Sequence, residues 1–184
     1  ALDIKELLSQ LRAQGGTVLG SITRIVPTLP DDTLSGAPEG RPVTFEEFLN
    51  AIGAHAPPEL FRAIENEFFF GLHTVDENAP ILIIPVVSYE RAFAAMLEWE
   101  KVMHHDLSPA FTPVPDTEIN ADGLLIKRPF RDVVMRNYDV RAISDDAGVL
   151  QLYYSFPTRN ILIIAESQYS FAEILSRLRA ERKL

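Results

Sequence analysis

Apolar positions along the chain alternate between two spacings, and each change of spacing marks a change of element. Ile4, Leu7, Leu8 and Leu11 share one helical face over residues 3–14. Asp3 and Glu6 stand in capping-box positions there, and Gly15-Gly16 supplies a stop. Val18, Ile22, Ile25 and Val26 lie in a β-branched run over 17–27 that predicts a strand. Residues 27–43 carry four prolines and two glycines with little to bury, which predicts a surface loop. Thr44, with Glu47 three residues on, predicts a capped helix bearing Phe45, Phe48, Leu49 and Ile52. Pro57-Pro58 opens a further helix with Leu60, Phe61 and Ile64 on its stripe. The period then falls to two. Residues 68–75 and 81–87 predict a β-hairpin around 76–80, with Pro85 at a strand end, edge or bulge. Tyr89, Ala92, Phe93, Met96, Trp99 and Met103 restore the helical spacing.

The remainder repeats this plan. Residues 105–123 hold three prolines and a glycine and predict a linker. A strand over about 132–144 follows, then the turn Asp145-Asp146-Ala147-Gly148 and a strand with Leu150, Leu152, Tyr154 and Phe156 on one face. Ile161-Leu162-Ile163-Ile164 is apolar on both faces, as a central strand requires. A final helix over about 169–182 bears Phe171, Ile174, Leu175 and Leu178. Its Arg177, Arg179, Arg182 and Lys183 suit a helix C-terminus. Ile81-Leu82-Ile83-Ile84 precedes Tyr89 and Phe93-Ala94, and 80 residues later the same four residues precede Tyr169 and Phe171-Ala172. The pattern predicts an α+β protein of two β-β-β-α halves, pseudo-duplicated, with antiparallel sheet and helices packed on one face. The first half would span residues 1–105 with a helical insertion at 28–66, the linker 106–123, and the second half 124–184, all in one compact unit.

Charge separates the halves. Residues 1–126 carry a balance of −12 and residues 127–184 one of +3, within a net −9. Such asymmetry favours docking or head-to-tail self-association, although solvated faces account for it as well. The chain has no cysteine, which excludes disulfides, thiolate metal sites and a cysteine nucleophile. No apolar run approaches the ~20 residues of a membrane-spanning helix.

Candidate chemistry is sparse. His104-His105-Asp106 is the one close cluster of metal-capable side chains, yet neighbours on a helix diverge by about 100° and no paired ligand motif accompanies them. No metal and no cofactor is expected. His55 and His73 stand alone, and Asp31-Asp32, Glu46-Glu47 and Asp145-Asp146 each suit a loop, a helix first turn or a hairpin turn. Phosphate-cradling glycine loops, nucleophile elbows and zincin motifs are all absent. Lys127, Arg128, Arg131, Arg136 and Arg141 lie near Phe130 and Tyr138, the ingredients of nucleic-acid binding. The acidic total argues against that partner, as does the odd separation of Arg136 from Arg141, which puts them on opposite strand faces. Phe68-Phe69-Phe70 offers one ring for an interface, but a buried central strand explains it more simply.

Five stretches together resemble a known family: Phe68–Gly71; Tyr89-Glu90 with Ala92-Phe93 and Leu97-Glu98-Trp99-Glu100; Asn137 with Asp139-Val140-Arg141; Tyr153-Tyr154-Ser155-Phe156; and Glu173-Ile174-Leu175 with Arg177-Leu178. The family comprises uncharacterised proteins of uncultivated, small-genome bacterial lineages, and the likeness covers most of residues 44–184. It implies a single N-terminal transmembrane anchor outside this chain and an extracytoplasmic location at the cytoplasmic membrane. It implies no activity, cofactor or catalytic residue. The expectation is a non-catalytic interaction or assembly domain with a protein partner or self-association. The alternatives are a cell-envelope hydrolase using carboxylates, His73 or His104, and a small-ligand or peptide binder; either would use a groove between the halves.

Overall fold

The structure is a computed structural model describing residues 4–14, 18–29, 40–75, 77–108 and 110–181. The predicted Asp3 cap, the Gly15-Gly16 stop and most of the loop at 27–43 lie outside the described residues. The elements in chain order are α1 (Ile4–Gln14), β1 (Ile22–Ile25), β2 (Thr28–Leu29), β3 (Arg41–Pro42), α2 (Phe45–Ala51), α3 (Pro58–Phe61), β4 (Phe69–Thr74), β5 (Asn78–Pro85), α4 (Tyr89–Trp99) and α5 (Met103–Asp106), followed by β6 (Thr117–Ile119), β7 (Leu125–Lys127), β8 (Arg131–Met135), β9 (Tyr138–Ser144), β10 (Leu150–Thr158), β11 (Ile161–Ala165) and α6 (Gln168–Ala180). The fold is α+β. Seven antiparallel strands form one sheet in the order β1-β4-β5-β11-β10-β9-β8, and β2-β3 and β6-β7 are small separate hairpins.

The two Ile-Leu-Ile-Ile segments are neighbours at the centre of this sheet. Ile81 stands opposite Ala165, Leu82 opposite Ile164, Ile83 opposite Ile163 and Pro85 opposite Ile161. Because side chains alternate between faces, this register sorts the apolar residues into two cores. On the first face, Phe70, Leu82, Ile84, Ile143, Leu152, Tyr154, Leu162 and Ile164 pack under helices. Phe45, Phe48 and Leu49 of α2, Leu60 of α3 and Ala92, Ala95, Met96 and Trp99 of α4 meet them there. On the second face, Ile81, Val140, Ala142, Tyr153, Ile163 and Ala165 pack against Phe171, Ile174, Leu175 and Leu178 of α6.

Helices therefore lie on both faces of the sheet, which corrects the expectation of one helical face. Two observations account for it. The first face is already filled by α2 and α3 from the 28–66 insertion, and by Met103, Leu107, Phe111 and Val114. The chain also leaves the two central strands differently. Val86 stays on the first face, buried and bonded to the Asn160 carbonyl at 2.8 Å, while Val87 and Ser88 donate to the Ala63 carbonyl before α4 begins. After β11 only Glu166 precedes the Ser167 cap, whose hydroxyl accepts from the Tyr169 amide. One residue fewer in a two-residue period reverses the side to which a chain turns.

Two further segments differ from the sequence pattern. The strand expected over 132–144 is two strands, β8 and β9, joined through Arg136 and Asn137 at φ 54° and 66°. Consecutive positive φ values make this a two-residue hairpin turn of the kind that matches strand twist, at a cost that glycine would avoid. The proline-rich stretch expected as a linker carries α5 and β6 and buries Leu107, Ala110, Phe111 and Val114. The predicted cap of α2 is present as a full capping box. Thr44 Oγ1 accepts from the Glu47 amide at 3.2 Å, and Glu47 returns a carboxylate to the Thr44 amide at 2.8 Å.

Candidate interaction groove

Among the described residues, only part of the second face is covered by a helix. α6 lies across the middle of this face, reaching Tyr138 on β9 and Tyr153 on β10 as well as His73 on β4, and beside its C-terminal half a groove of about 650 Å³ runs over β5, β4 and β1. Its floor is the second-face row of the first-half strands: Ile22, Phe69, Ile81 and Ile83, with Pro85 at the end. Ile174, Arg177, Leu178 and Glu181 of α6 form one wall, and Pro27, Pro42, Val43 and Thr44 close the end where α6 finishes. First-half strands, the flanks of the insertion and the second-half helix thus meet at this one hollow. Phe69 and Ile83 are half-buried, whereas Ile163, the cross-strand partner of Ile83, is wholly buried under α6.

Local sequence shapes the floor. In Phe68-Phe69-Phe70 the alternation of strand faces sends Phe70 into the first core, 5.4 Å from the Phe48 ring, and leaves Phe69 on the groove side. Gly71 is next on that row. A Cβ there would sit 2.7 Å from Cε1 of Phe69 and 3.2 Å from Ile22, so the missing side chain lets the Phe69 ring lie over the strand. The Arg24 guanidinium is 5.9 Å from the same ring, within reach of a cation–π contact. Arg24 and Arg177 flank the groove, and Glu67 and Glu181 line it.

The residues weighed for catalysis fall elsewhere. His73 and Ser170 are both buried, with His73 Nδ1 3.0 Å from the Ser170 hydroxyl, where they join β4 to α6. Desolvation pushes the His73 imidazole below its ordinary value, with Glu173 opposing and Arg177 reinforcing the shift. A serine hydroxyl sealed from solvent has no access to an envelope substrate. His104 is also buried, its Nε2 2.7 Å from Asp116, and its Nδ1 has no partner among the described residues. The hydrogen bond from His104 lowers the Asp116 carboxyl. Asp106 instead accepts from Trp99 Nε1 and the His55 amide, each at 2.8 Å. His105 is exposed, so the three residues of the cluster diverge. Among the described residues no three such side chains gather to hold a metal.

Several of the adjacent carboxylates and most of the basic stretch bond to this chain's own groups. Glu47 is held down to about 2, chiefly by its hydrogen bonds from Arg41 and then from the Thr44 amide. Asp145 closes its turn by accepting from the Ala147 and Val149 amides at 2.9 Å, the Val149 bond doing most to lower it. Asp31 and Asp32 lie outside the described residues. Arg128 is buried and donates to the carbonyls of Pro115, Thr117 and Ser144 as well as pairing with Asp146. Arg141 holds Glu100 through two bonds of 2.8 Å and Asp132 at 3.0 Å, and these bonds raise it further. Arg131 pairs with Glu118, and the Lys127 ammonium donates to the Lys101 carbonyl. These cations point at this chain's own acceptors.

One polar site had no signal in the sequence pattern. Glu166 lines a second, shallower hollow of about 310 Å³, where burial pushes its carboxyl up while Arg12 and Thr112 oppose that shift. Arg12 pairs with it, the Thr112 amide donates to it at 2.9 Å, and Arg12 also reaches the Thr112 hydroxyl. The trio fastens α1 and the 110–114 segment to the end of β11.

Neither a family model, nor a curated protein, nor a solved structure matches this chain.

Proposed function

We propose that this chain is a non-catalytic interaction domain, built as two pseudo-duplicated β-β-β-α units, that binds a protein partner through the groove over β1, β4 and β5. The duplication is supported by register. Adding 80 to a residue number carries the Ile81–Ala165 pair onto Ile161–Pro85 and returns Ile83–Ile163 to itself, as a twofold axis through that central pair requires. The helices break the relation, since α4 lies on the first face and α6 on the second.

The observation that carries the functional reading is the contrast between the groove and the polar clusters. The clusters satisfy one another inside the fold, whereas the groove leaves Phe69 and Ile83 half-buried in a concave apolar surface with charged flanks. Apolar concavities with a few polar groups at the rim mark binding surfaces on folded proteins. The family resemblance supports placing this domain outside the cytoplasmic membrane on an N-terminal anchor. A photo-crosslinking amino acid at Phe69 in the full gene product, irradiated in native membranes, tests the reading. It should trap a discrete polypeptide that the same group at exposed Val134 does not trap. Trapping at neither position, or equally at both, contradicts it.

A further inference from the structure

The seven-stranded sheet is open, and β1 is one of its two edges. The Thr74 amide donates to the Ser21 carbonyl at 2.9 Å, which makes Ser21 and Thr74 a hydrogen-bonded pair of the ladder between β1 and β4. Bonded and non-bonded pairs alternate along an antiparallel ladder, so Thr23 and Ile25 also turn their backbone towards β4. Ile22 and Arg24 turn theirs outward, and among the described residues no other element takes up those amides and carbonyls. An unpaired edge of this kind is a template for a further strand.

Three observations single out this edge. Large apolar side chains stand exposed at both its ends, Val18 at 65%, Leu19 at 75%, Val26 at 47% and Leu29 at 41%. The edge borders the groove, since Ile22 and Arg24 lie on the second face beside Phe69 and Gly71, on the flank away from the α6 wall. Arg24 also sits 5.9 Å from the Phe69 ring and, among the described residues, pairs with no carboxylate, whereas Arg177 across the groove holds Glu173. On the other edge, β8, Arg131 and Asp132 already pair with Glu118 and Arg141.

We propose that the partner adds an extended segment to the outer edge of β1, antiparallel to it, as an eighth strand of the sheet. This inference rests on the groove being the partner-binding surface, and adds the conformation and chemistry of what binds there. The segment's main chain bonds to Ile22 and Arg24, and its alternate side chains turn to the groove and form the flank missing opposite α6. The residue beside Ile22 is apolar and the one beside Arg24, two positions along, is acidic, as cross-strand pairing favours. Main-chain bonds then supply affinity and the side-chain pair selects the partner. A cation on an edge strand deters indiscriminate pairing, and Arg24 admits a segment that brings it a carboxylate. A second copy is the poorer donor, because β1 itself has no carboxylate and Asp132 of β8 already holds Arg141.

The probe is the peptide acetyl-Thr-Val-Thr-Glu-Thr-Val-Thr-amide, symmetric about its Glu. Added to the isotope-labelled protein, it should bind saturably and slow amide exchange at Ile22 and Arg24. On β8 the pair Met135 and Tyr138 closes the turn, so Asp132 and Val134 face outward, and their exchange should not change. Lys in place of the peptide's Glu should weaken binding several-fold. Arg24→Pro removes an outward amide and no bond to β4, which edge strands tolerate, so the thermal midpoint should hold. Binding should fall by roughly tenfold or more, because a carbonyl of the added strand loses its donor. N-methylation of the peptide's Glu should do the same without altering the protein, and N-methylation of the next Thr should not. The proposal is overturned by absence of saturable binding, by equal protection on β8, or by binding indifferent to methylation of the Glu. Self-association that protects Ile22 and Arg24 without peptide would overturn it in favour of a second copy. If a polypeptide is trapped at Phe69 and Arg24→Pro leaves that trapping intact, this inference falls and the interaction reading survives.

Discussion

The two ends of the second sheet face begin alike and finish differently. Over β9, β10 and β11, Ile163 and Tyr153 lie fully buried under α6; over β1, β4 and β5, Phe69 and Ile83 lie half-open in a groove. Strand composition does not separate them, since Ile83 and Ile163 are the same residue type paired directly across the centre of the sheet. The difference lies in where each unit sends its helix. Paired strands of one sheet can therefore differ in cover according to where the helix after each of them packs.

The comparison is sharpest where a helix meets the sheet. Phe171 fixes α6 through edge contacts with the Tyr138 and Tyr153 rings, so Phe171→Ala should cost about 3–5 kcal/mol in chemical denaturation. Phe69→Ala, on the open side, should cost no more than about 1–2 kcal/mol, because its ring keeps much of its exposure in the folded state. Similar losses at both positions would show that the groove is as covered as the α6 seat.

Acid should act through the His73–Ser170 contact that joins the halves. Burial lowers the folded-state value of His73, so the unfolded chain binds the proton more readily. Its contribution is complete above the ordinary value of 6.5 and is lost as pH falls below that, through the depressed folded value. Thermal midpoints should fall over this window, and His73→Gln should flatten the fall. A midpoint slope unchanged by the substitution would remove His73 as the cause.

The insertion supplies a smaller effect. Thr44→Ala deletes one arm of the α2 capping box and should cost about 1 kcal/mol. Smallest of all, the exposed Arg159–Glu90 pair should show next to no coupling in a double-mutant cycle.

Much of the sheet was legible because alternation and turn residues are local signals. The central place of the strand at 161–164 follows from its being apolar on both faces, although its pairing with 81–85 does not, and Thr44 with Glu47 announces its helix at the right residue. The sides taken by the helices were not legible. A stripe such as Phe171, Ile174, Leu175 and Leu178 shows that a helix packs, but the face depends on a one-residue difference in the connectors and on prior filling by α2 and α3. Arg136-Asn137 concealed a hairpin turn because neither residue is glycine. The prolines at 109–115 suggested a linker, although Phe111 and Val114 are anchored in the core. A groove between the halves was the expectation, and the hollow present has its floor on β1, β4 and β5 with one wall from α6. Phe69 as its floor was not legible, because three consecutive phenylalanines suit a doubly buried strand equally well.

The most direct test uses the central pair itself. Ile83→Ala and Ile163→Ala remove the same atoms from adjacent positions on one sheet face, so equilibrium denaturation of the two variants compares only what covers them. The open groove predicts that Ile163→Ala costs more than Ile83→Ala by about 1 kcal/mol or more, given the cavity left at a sealed position. Equal losses would contradict the account, because they would mean that the first-half floor is as well covered in solution as the floor beneath α6.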